Sequence, residues 1–207
     1  LAFAFSRLYN EFAWAYDKIS YLVSRGEWHR WQLAALPRLR GPRILDIGFG
    51  TGDLLSEMRN QGYLCYGVEL SPSMLRMAKR KGVKVPLCQA RAQDMPFRDG
   101  AFDSLVSTFP SSFILDPRAQ RETARLLAPG GRLVVVDEGR LLGRDPCSRF
   151  LNWAREITSG DGSLVQLCEV LLGTGLELQV EEERSERSRV GVIVGTKVRR
   201  EKEDGTG

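Results

Sequence analysis

Five short apolar runs mark the middle of the chain: ILDI (Ile44 to Ile47), LCYGV (Leu64 to Val68), VKVPLC (Val83 to Cys88), DSLVST (Asp103 to Thr108) and RLVVVD (Arg132 to Asp137). Runs of this length with apolar residues on both faces suit strands buried inside a sheet. Helix-like stretches lie between them. They are Asp53 to Arg59, Pro72 to Lys81 behind an N-cap at Ser71, and Pro117 to Leu127 behind an N-cap at Asp116. Strand alternating with helix predicts parallel strands joined by right-handed crossovers and covered on both faces, which is a doubly wound α/β sheet.

The rhythm changes near the end. After a helix from about Ser163 to Leu172, the runs LELQVEEE (Leu176 to Glu183) and RVGVIVGTK (Arg189 to Lys197) are separated only by RSERS. That gap suits a hairpin and is too short for a crossover helix, so an antiparallel pair is expected to close one edge of the sheet. Residues 1–40 precede the first strand and read as a helical cap. Phe5, Tyr9, Phe12, Tyr16 and Ile19 recur there at steps of four and three, which places them on one helix face. Residues 138–162 read as an insertion on the substrate side, and residues 199–207 as a frayed tail. Residues 1–198 then form a single domain, as 207 residues with 43% apolar side chains allow.

Composition narrows the chemistry. One histidine and four cysteines without a CxxC pair exclude a histidine-rich metal site. Cys65, Cys88, Cys147 and Cys168 stand far apart among apolar neighbours and are expected to be buried and reduced. No apolar run reaches the roughly 20 residues that span a bilayer, so the expectation is a cytoplasmic protein. The net charge of +4 has a location: Arg76, Lys79, Arg80, Lys81, Lys84, Arg91 and Arg98 face only Asp94 in their stretch. This segment is either a solvated helix face or a place for an anionic ligand or membrane surface.

The chemistry sits in Ile44-Leu45-Asp46-Ile47-Gly48-Phe49-Gly50-Thr51-Gly52-Asp53, a strand running into a glycine-rich turn and then a helix. Glycine serves where the backbone turns sharply and where a ligand must approach without meeting a Cβ. The helix N-terminus offers unpaired N–H groups to a carboxylate or phosphate. Asp46 can accept from a cationic amino group, and Glu69, ending the second strand, can take both hydroxyls of a ribose. The glycine spacing is GxGxG behind an aspartate, not the GxGxxG of nicotinamide-binding folds.

With Glu69 in GVELSPSML, this pattern resembles the class I S-adenosylmethionine-dependent methyltransferases. QARAQDMPFRDGAFDSLVSTF (Gln89 to Phe109) and LLAPGGRLVVVDE (Leu126 to Glu138) extend the resemblance, and YDKISYLVSRGEWHRW (Tyr16 to Trp31) is similar to the opening of the ubiquinone and menaquinone biosynthesis C-methyltransferases. The resemblance implies a Rossmann-like, mostly parallel seven-stranded sheet with a C-terminal antiparallel hairpin. It also implies S-adenosyl-L-methionine as cofactor, leaving as S-adenosyl-L-homocysteine. On it, Gly48, Gly50 and Gly52 admit the methionine part, Asp46 meets its amino group, Glu69 takes the ribose, and Leu70 with Met74 flanks the adenine. Thr108 and Phe109 face the transferring methyl. Where relatives carry an aspartate for the adenine amino group, this chain has Arg91, which has no acceptor to offer. Ala92 N–H and the Gln93 side-chain oxygen are then the groups on hand for the adenine.

The acceptor expected is a small molecule, with an apolar ring such as a quinol or phenol suited to the aromatic N-terminus. Such a ring needs a proton removed, and His29 and Tyr16 are the candidate bases, with Asp17 comparable. Arg140, Arg144 and Arg149 are candidates for an anionic head of the acceptor, and Trp153 for its cover; each can equally be a surface or core residue. A catalytically silent cofactor-binding or interaction protein that keeps the fold is the alternative, favoured by Arg91 and by the absence of an obvious base. A nicotinamide oxidoreductase is disfavoured by the glycine spacing and the hairpin. Nucleic acid is not expected as a partner, because basic and aromatic residues lie in separate segments. The chain is expected to act as a monomer or a homodimer.

Overall fold

All five apolar runs contribute to one sheet, as β1 (Arg43–Ile47), β2 (Leu64–Glu69), β3 (Leu87–Gln89), β4 (Phe102–Thr108) and β5 (Leu127–Leu141) in a computed structural model that describes residues 21–22, 24–143, 145–158 and 164–198. The hairpin supplies β6 (Leu176–Arg184) and β7 (Ser188–Lys197). The helices are α1 (Trp28–Leu33), α2 (Asp53–Asn60), α3 (Pro72–Arg80), α4 (Pro117–Leu126), α5 (Pro146–Thr158) and α6 (Leu164–Leu172). The strand order is β3-β2-β1-β4-β5-β7-β6. Tyr16, the N-terminal aromatic stripe, Arg144 and the tail lie outside the described residues.

Both expected caps form. The Ser71 side chain accepts from Met74 N and that of Asp116 from Arg118 N, each contact contributing about 1 kcal/mol to its helix. Alternation along β5 divides the interior: Val134 and Val136 pack with Trp31, Leu54, Leu55 and Met58, while Leu133 and Val135 pack with Phe102, Leu126 and Leu167. Arg125 organises the chain before β4. Its guanidinium donates to Met95 O and Phe97 O and pairs with Glu122 and Asp99.

Three expectations change. The third strand is confined to Leu87–Gln89, because Pro86 has no N–H for a ladder and Val83 and Val85 turn into the first core layer instead. The hairpin closes one edge of the sheet, as expected. β7 inserts between β5 and β6 and runs antiparallel to both, leaving β6 outermost with its charged residues exposed. The stretch from Glu138 is not all insertion, since β5 continues across a bulge to Leu141, where it pairs with Ser188. Of the cysteines, Cys65 is buried, its thiol pushed up to about 12 chiefly by desolvation, whereas Cys88 and Cys168 are only half-buried. The Cys147 side chain lies outside the description. No helix among the described residues is long and apolar enough to cross a membrane.

Candidate active site

Strand order reverses between β1 and β4, and the crevice beyond their carboxyl ends is where such sheets receive ligands. The turn after β1 fills one side of it. Gly48, Gly50 and Gly52 have φ of 75°, 58° and 82°, a region that residues with a Cβ rarely enter. At Gly52 an added Cβ would also stand 2.8 Å from Val83 Cγ2. Gly48 N donates to Val68 O at 2.7 Å, holding the turn against β2.

Asp46 stands under this turn with 1% of its surface exposed, and its Oδ1 has no hydrogen-bond partner. Burial, and then the charge of Glu69, push its carboxyl up to about 8. An isolated buried carboxylate is costly, so the site favours either a proton or a cation on Asp46. Glu69 differs. Its Oε2 accepts from Gly50 N at 3.0 Å and its Oε1 from Ser71 N at 2.8 Å, so it clasps the glycine turn to the start of α3. Burial raises its pKa while these backbone donors lower it. The ribose contact expected of Glu69 is thus joined by a structural one, since a buried carboxylate beside unpaired backbone N–H groups takes them as partners.

The adenine side needs one correction. Leu70 is half exposed at the end of β2, but Met74 is fully buried with Ala78 on the inner face of α3 and presents no surface to a ligand. Gln89 Nε2 donates to Leu70 O, bringing the chain after β3 alongside. Arg91 is exposed, and Ala92 and Gln93 are half-buried. Gln93 Nε2 donates to Asp116 Oδ2 at 3.0 Å, which anchors that side chain by its nitrogen and turns its oxygen to other use.

Across the crevice, α1 meets the end of β4. Gln32 Nε2 donates to Thr108 Oγ1 at 3.4 Å, and the ring of Trp28 stacks on Phe109 with centroids 4.2 Å apart. Phe109 has φ of 50°, a strained value for an aromatic residue, and its N–H donates to Val136 O at 2.7 Å. Phe113 borders Gly48, 3.4 Å from where a Cβ would stand. Helix α1 is held by the hairpin: Trp31 Nε1 donates to Ser188 Oγ at 2.9 Å, and Ser188 Oγ donates to Glu27 at 2.7 Å. A cleft of about 430 Å³ between Glu27, Arg30 and Ser185 to Arg187 lies beside this contact.

His29 is exposed on α1 one residue from Trp28. Arg140 and Arg149 are exposed as well, and Trp153 is 55% exposed, so it belongs to no core. The basic stretch is mostly solvated surface, with Lys81 paired to Asp53. Two wall residues, Gln32 and Phe113, carry no role in the sequence reading, and Trp28 stands there only as one of the N-terminal aromatics suited to cover an apolar ring. The i,i+4 spacing of Trp28 and Gln32 was the available signal, since it puts both on one face of a short helix.

Residues 45–135 match the family of the methyltransferase domain. A demethylmenaquinone methyltransferase of Thermus thermophilus is 39% identical over 140 residues, 63% of this chain and 64% of that protein. The ubiquinone/menaquinone biosynthesis C-methyltransferase of Proteus mirabilis is 31% identical over 158 residues, 70% of this chain and 62% of that protein. A solved methyltransferase of Thermotoga maritima, described as S-adenosylmethionine-dependent and as a possible histamine N-methyltransferase, superposes with a TM-score of 0.63 at 25% identity, over 90% of this chain and 98% of that one. The chain spans about three fifths of the length of the curated relatives it matches. With the sheet order, these likenesses identify a class I methyltransferase domain. The curated relatives it resembles within that class are methyltransferases of ubiquinone and menaquinone biosynthesis.

Proposed function

We propose that this chain transfers a methyl group from S-adenosyl-L-methionine to a small, apolar, ring-shaped acceptor of the quinol or phenol kind, releasing S-adenosyl-L-homocysteine. The observation that carries this is Asp46, a buried acceptor atom without a partner beneath a turn of glycines. Those residues fit an aminoacyl group: the carboxylate answers an ammonium, and the missing Cβ atoms leave room for the chain behind it. Similarity to the Thermus thermophilus demethylmenaquinone methyltransferase supports a quinol as acceptor.

The cofactor, when bound, supplies a methyl group already activated on a sulfonium. The protein's part is therefore alignment and exclusion of water. Asp46 holds the amino group, Gly48, Gly50 and Gly52 make room, and Glu69 fixes the cradle and faces the ribose. Leu70 covers one side of the adenine, with Ala92 N–H and the Gln93 oxygen at its edge. Thr108 and Phe109, backed by Gln32 and Trp28, form the wall where the acceptor ring lies. A quinol must lose a proton as its carbon or oxygen is methylated, and His29 or Tyr16 takes it. The same reading locates the reaction in the cytoplasm, with the chain as a monomer or homodimer and nucleic acid as no partner.

Calorimetric titration with both forms of the cofactor, then turnover on a panel of quinols, phenols, amines and acids, tests this. Binding of both forms and turnover on a quinol or phenol are expected. No binding at millimolar cofactor overturns the reading. At saturating cofactor, loss of the acid limb of the kcat–pH profile in His29→Ala assigns the base to His29, and unchanged turnover removes His29 from the mechanism and leaves Tyr16 in that role.

A further inference from the structure

Several polar side chains around the crevice are committed to the protein's own groups. Ser107 donates to Ile47 O at 2.8 Å, Glu69 accepts from two backbone amides, and Gln93 is tied to Asp116 through its nitrogen. The pair across the crevice differs. Gln32 Nε2 donates to Thr108 Oγ1, both residues are half-buried, and neither side chain makes a second hydrogen bond among the described residues. Having accepted from the amide, the Thr108 hydroxyl still has its own hydrogen to donate, and Gln32 keeps a carbonyl oxygen that accepts. One donor and one hydrogen-bond acceptor thus stand together.

The fold holds both members in place. Thr108 ends β4 and pairs there with Val136 of β5. Gln32 follows Trp31, whose indole is fastened to Ser188 and whose ring the β5 bulge closes upon, since a Cβ at Gly139 would stand 2.6 Å from it. Trp28, one turn before Gln32, stacks on Phe109, the residue after Thr108. An aromatic stack and a polar edge therefore adjoin on one wall.

A ring hydroxyl matches that edge, because it donates and accepts through a single oxygen. We propose that Thr108 and Gln32 together hold a hydroxyl of the methyl acceptor, Thr108 donating to its oxygen and Gln32 accepting its hydrogen, and that this pair determines which rings the site takes. The proposal rests on the quinol or phenol reading of the acceptor. A quinone of nearly the same shape accepts from Thr108 but has nothing to give Gln32, and a ring without oxygen leaves both members unmatched in a half-buried place. An amide oxygen is too weak a base to remove a proton outright. The pair reads the hydroxyl and leaves its deprotonation to the base.

Calorimetric titration of the protein saturated with S-adenosyl-L-homocysteine reads this without turnover. The probes are an alkyl-substituted hydroquinone kept reduced, its quinone, and the same alkylated ring without oxygens. The wild-type protein is expected to bind the hydroquinone about tenfold or more tighter than either of the others. Thr108→Val should weaken the hydroquinone and the quinone by about tenfold each and leave the oxygen-free ring within about twofold. Gln32→Leu should weaken the hydroquinone by roughly severalfold with the quinone unchanged, which narrows the preference. Urea unfolding of both variants shows that the fold is intact. A wild-type protein without the preference overturns the proposal. Variants that weaken all three rings equally overturn it too, because the pair then only fastens α1 to β4. The preference without turnover on any hydroxylated ring counts against the proposed reaction alone, and turnover on the hydroquinone without the preference counts against the pair alone.

Discussion

On the cofactor side of the crevice the polar contacts are short in sequence. Glu69 reaches Gly50 across 19 residues and Ser71 across 2. On the acceptor side they are long: Trp31 reaches Ser188 across 157 residues, Arg25 reaches Asp145 across 120 and Gln32 reaches Thr108 across 76. The cradle is thus a local unit of two neighbouring strands, the turn after the first and the start of the helix after the second, while the wall exists only once the chain's distant segments have met. Substitutions in the wall should accordingly move stability and acceptor binding, and substitutions in the cradle should move cofactor binding.

The strongest test of that division is Trp31→Ala. Trp31 is buried between α1 and the hairpin, and its indole N–H feeds the Ser188 and Glu27 contact. Truncation should cost about 3–5 kcal/mol of stability in urea unfolding, as for other buried aromatic side chains. Among molecules that remain folded, cofactor affinity should hold. A parallel loss of cofactor affinity would show that the two halves are one unit.

Asp46→Asn should come next, costing about 1.5–3 kcal/mol of cofactor affinity through loss of a charged hydrogen bond. Its pH dependence is sharper still. Folding raises the Asp46 carboxyl from its ordinary range near 4 to about 8. The folded state therefore binds this proton more tightly, and the stability it contributes is full below about pH 4 and is lost as pH rises through about 8. A cationic amino group on Asp46 favours the carboxylate instead. Cofactor binding near neutrality should release a proton and tighten with pH, by up to about tenfold per unit, levelling off near 8. Calorimetry in two buffers of different ionisation enthalpy counts the proton, and Asp46→Asn should abolish its release.

The same contrast decides what could be read from the chain. β1, β2, β4, α3 and α4 were legible because their signals are local: apolar runs for the strands and side-chain caps at Ser71 and Asp116 for the two helices. Met74 could have been read as buried from its i,i+4 partner Ala78, whereas the motif alone suggested a ligand contact. The clasp by Glu69 was hidden because it depends on where the Gly50 amide points. The extension of β5 was hidden because Glu138 to Leu141 has no apolar run and is strand only through its pairing with Ser188 and Arg189. Trp28 was visible as an aromatic residue, but its partner Phe109 lies 81 residues on, and no local pattern joins them.

A smaller effect is expected at that pair. Trp28→Leu removes a stacking contact worth about 0.5–1.5 kcal/mol beyond its apolar area. On the quinol reading, KM for the acceptor should rise severalfold with cofactor affinity unchanged. If kcat falls while KM holds, the stack serves the transition state and not ring binding.

The smallest change expected tests the cradle from its weakest side. Arg91 is exposed and its carbonyl accepts from Asp94 N, and the sequence resemblance implies an acceptor for the adenine amino group at this position. Ala92 and Gln93 follow it along the half-buried edge, and Gln93 is already tied through its nitrogen to Asp116. An aspartate at position 91 adds an acceptor without asking any buried group to move. Arg91→Asp should therefore tighten cofactor binding by about 0.5–1.5 kcal/mol, the net worth of one hydrogen bond, and leave the acceptor KM unchanged. A variant that binds the cofactor no better than wild type would mean that the adenine is held by backbone and by Leu70 alone, and that the local unit is complete without an acceptor side chain at position 91.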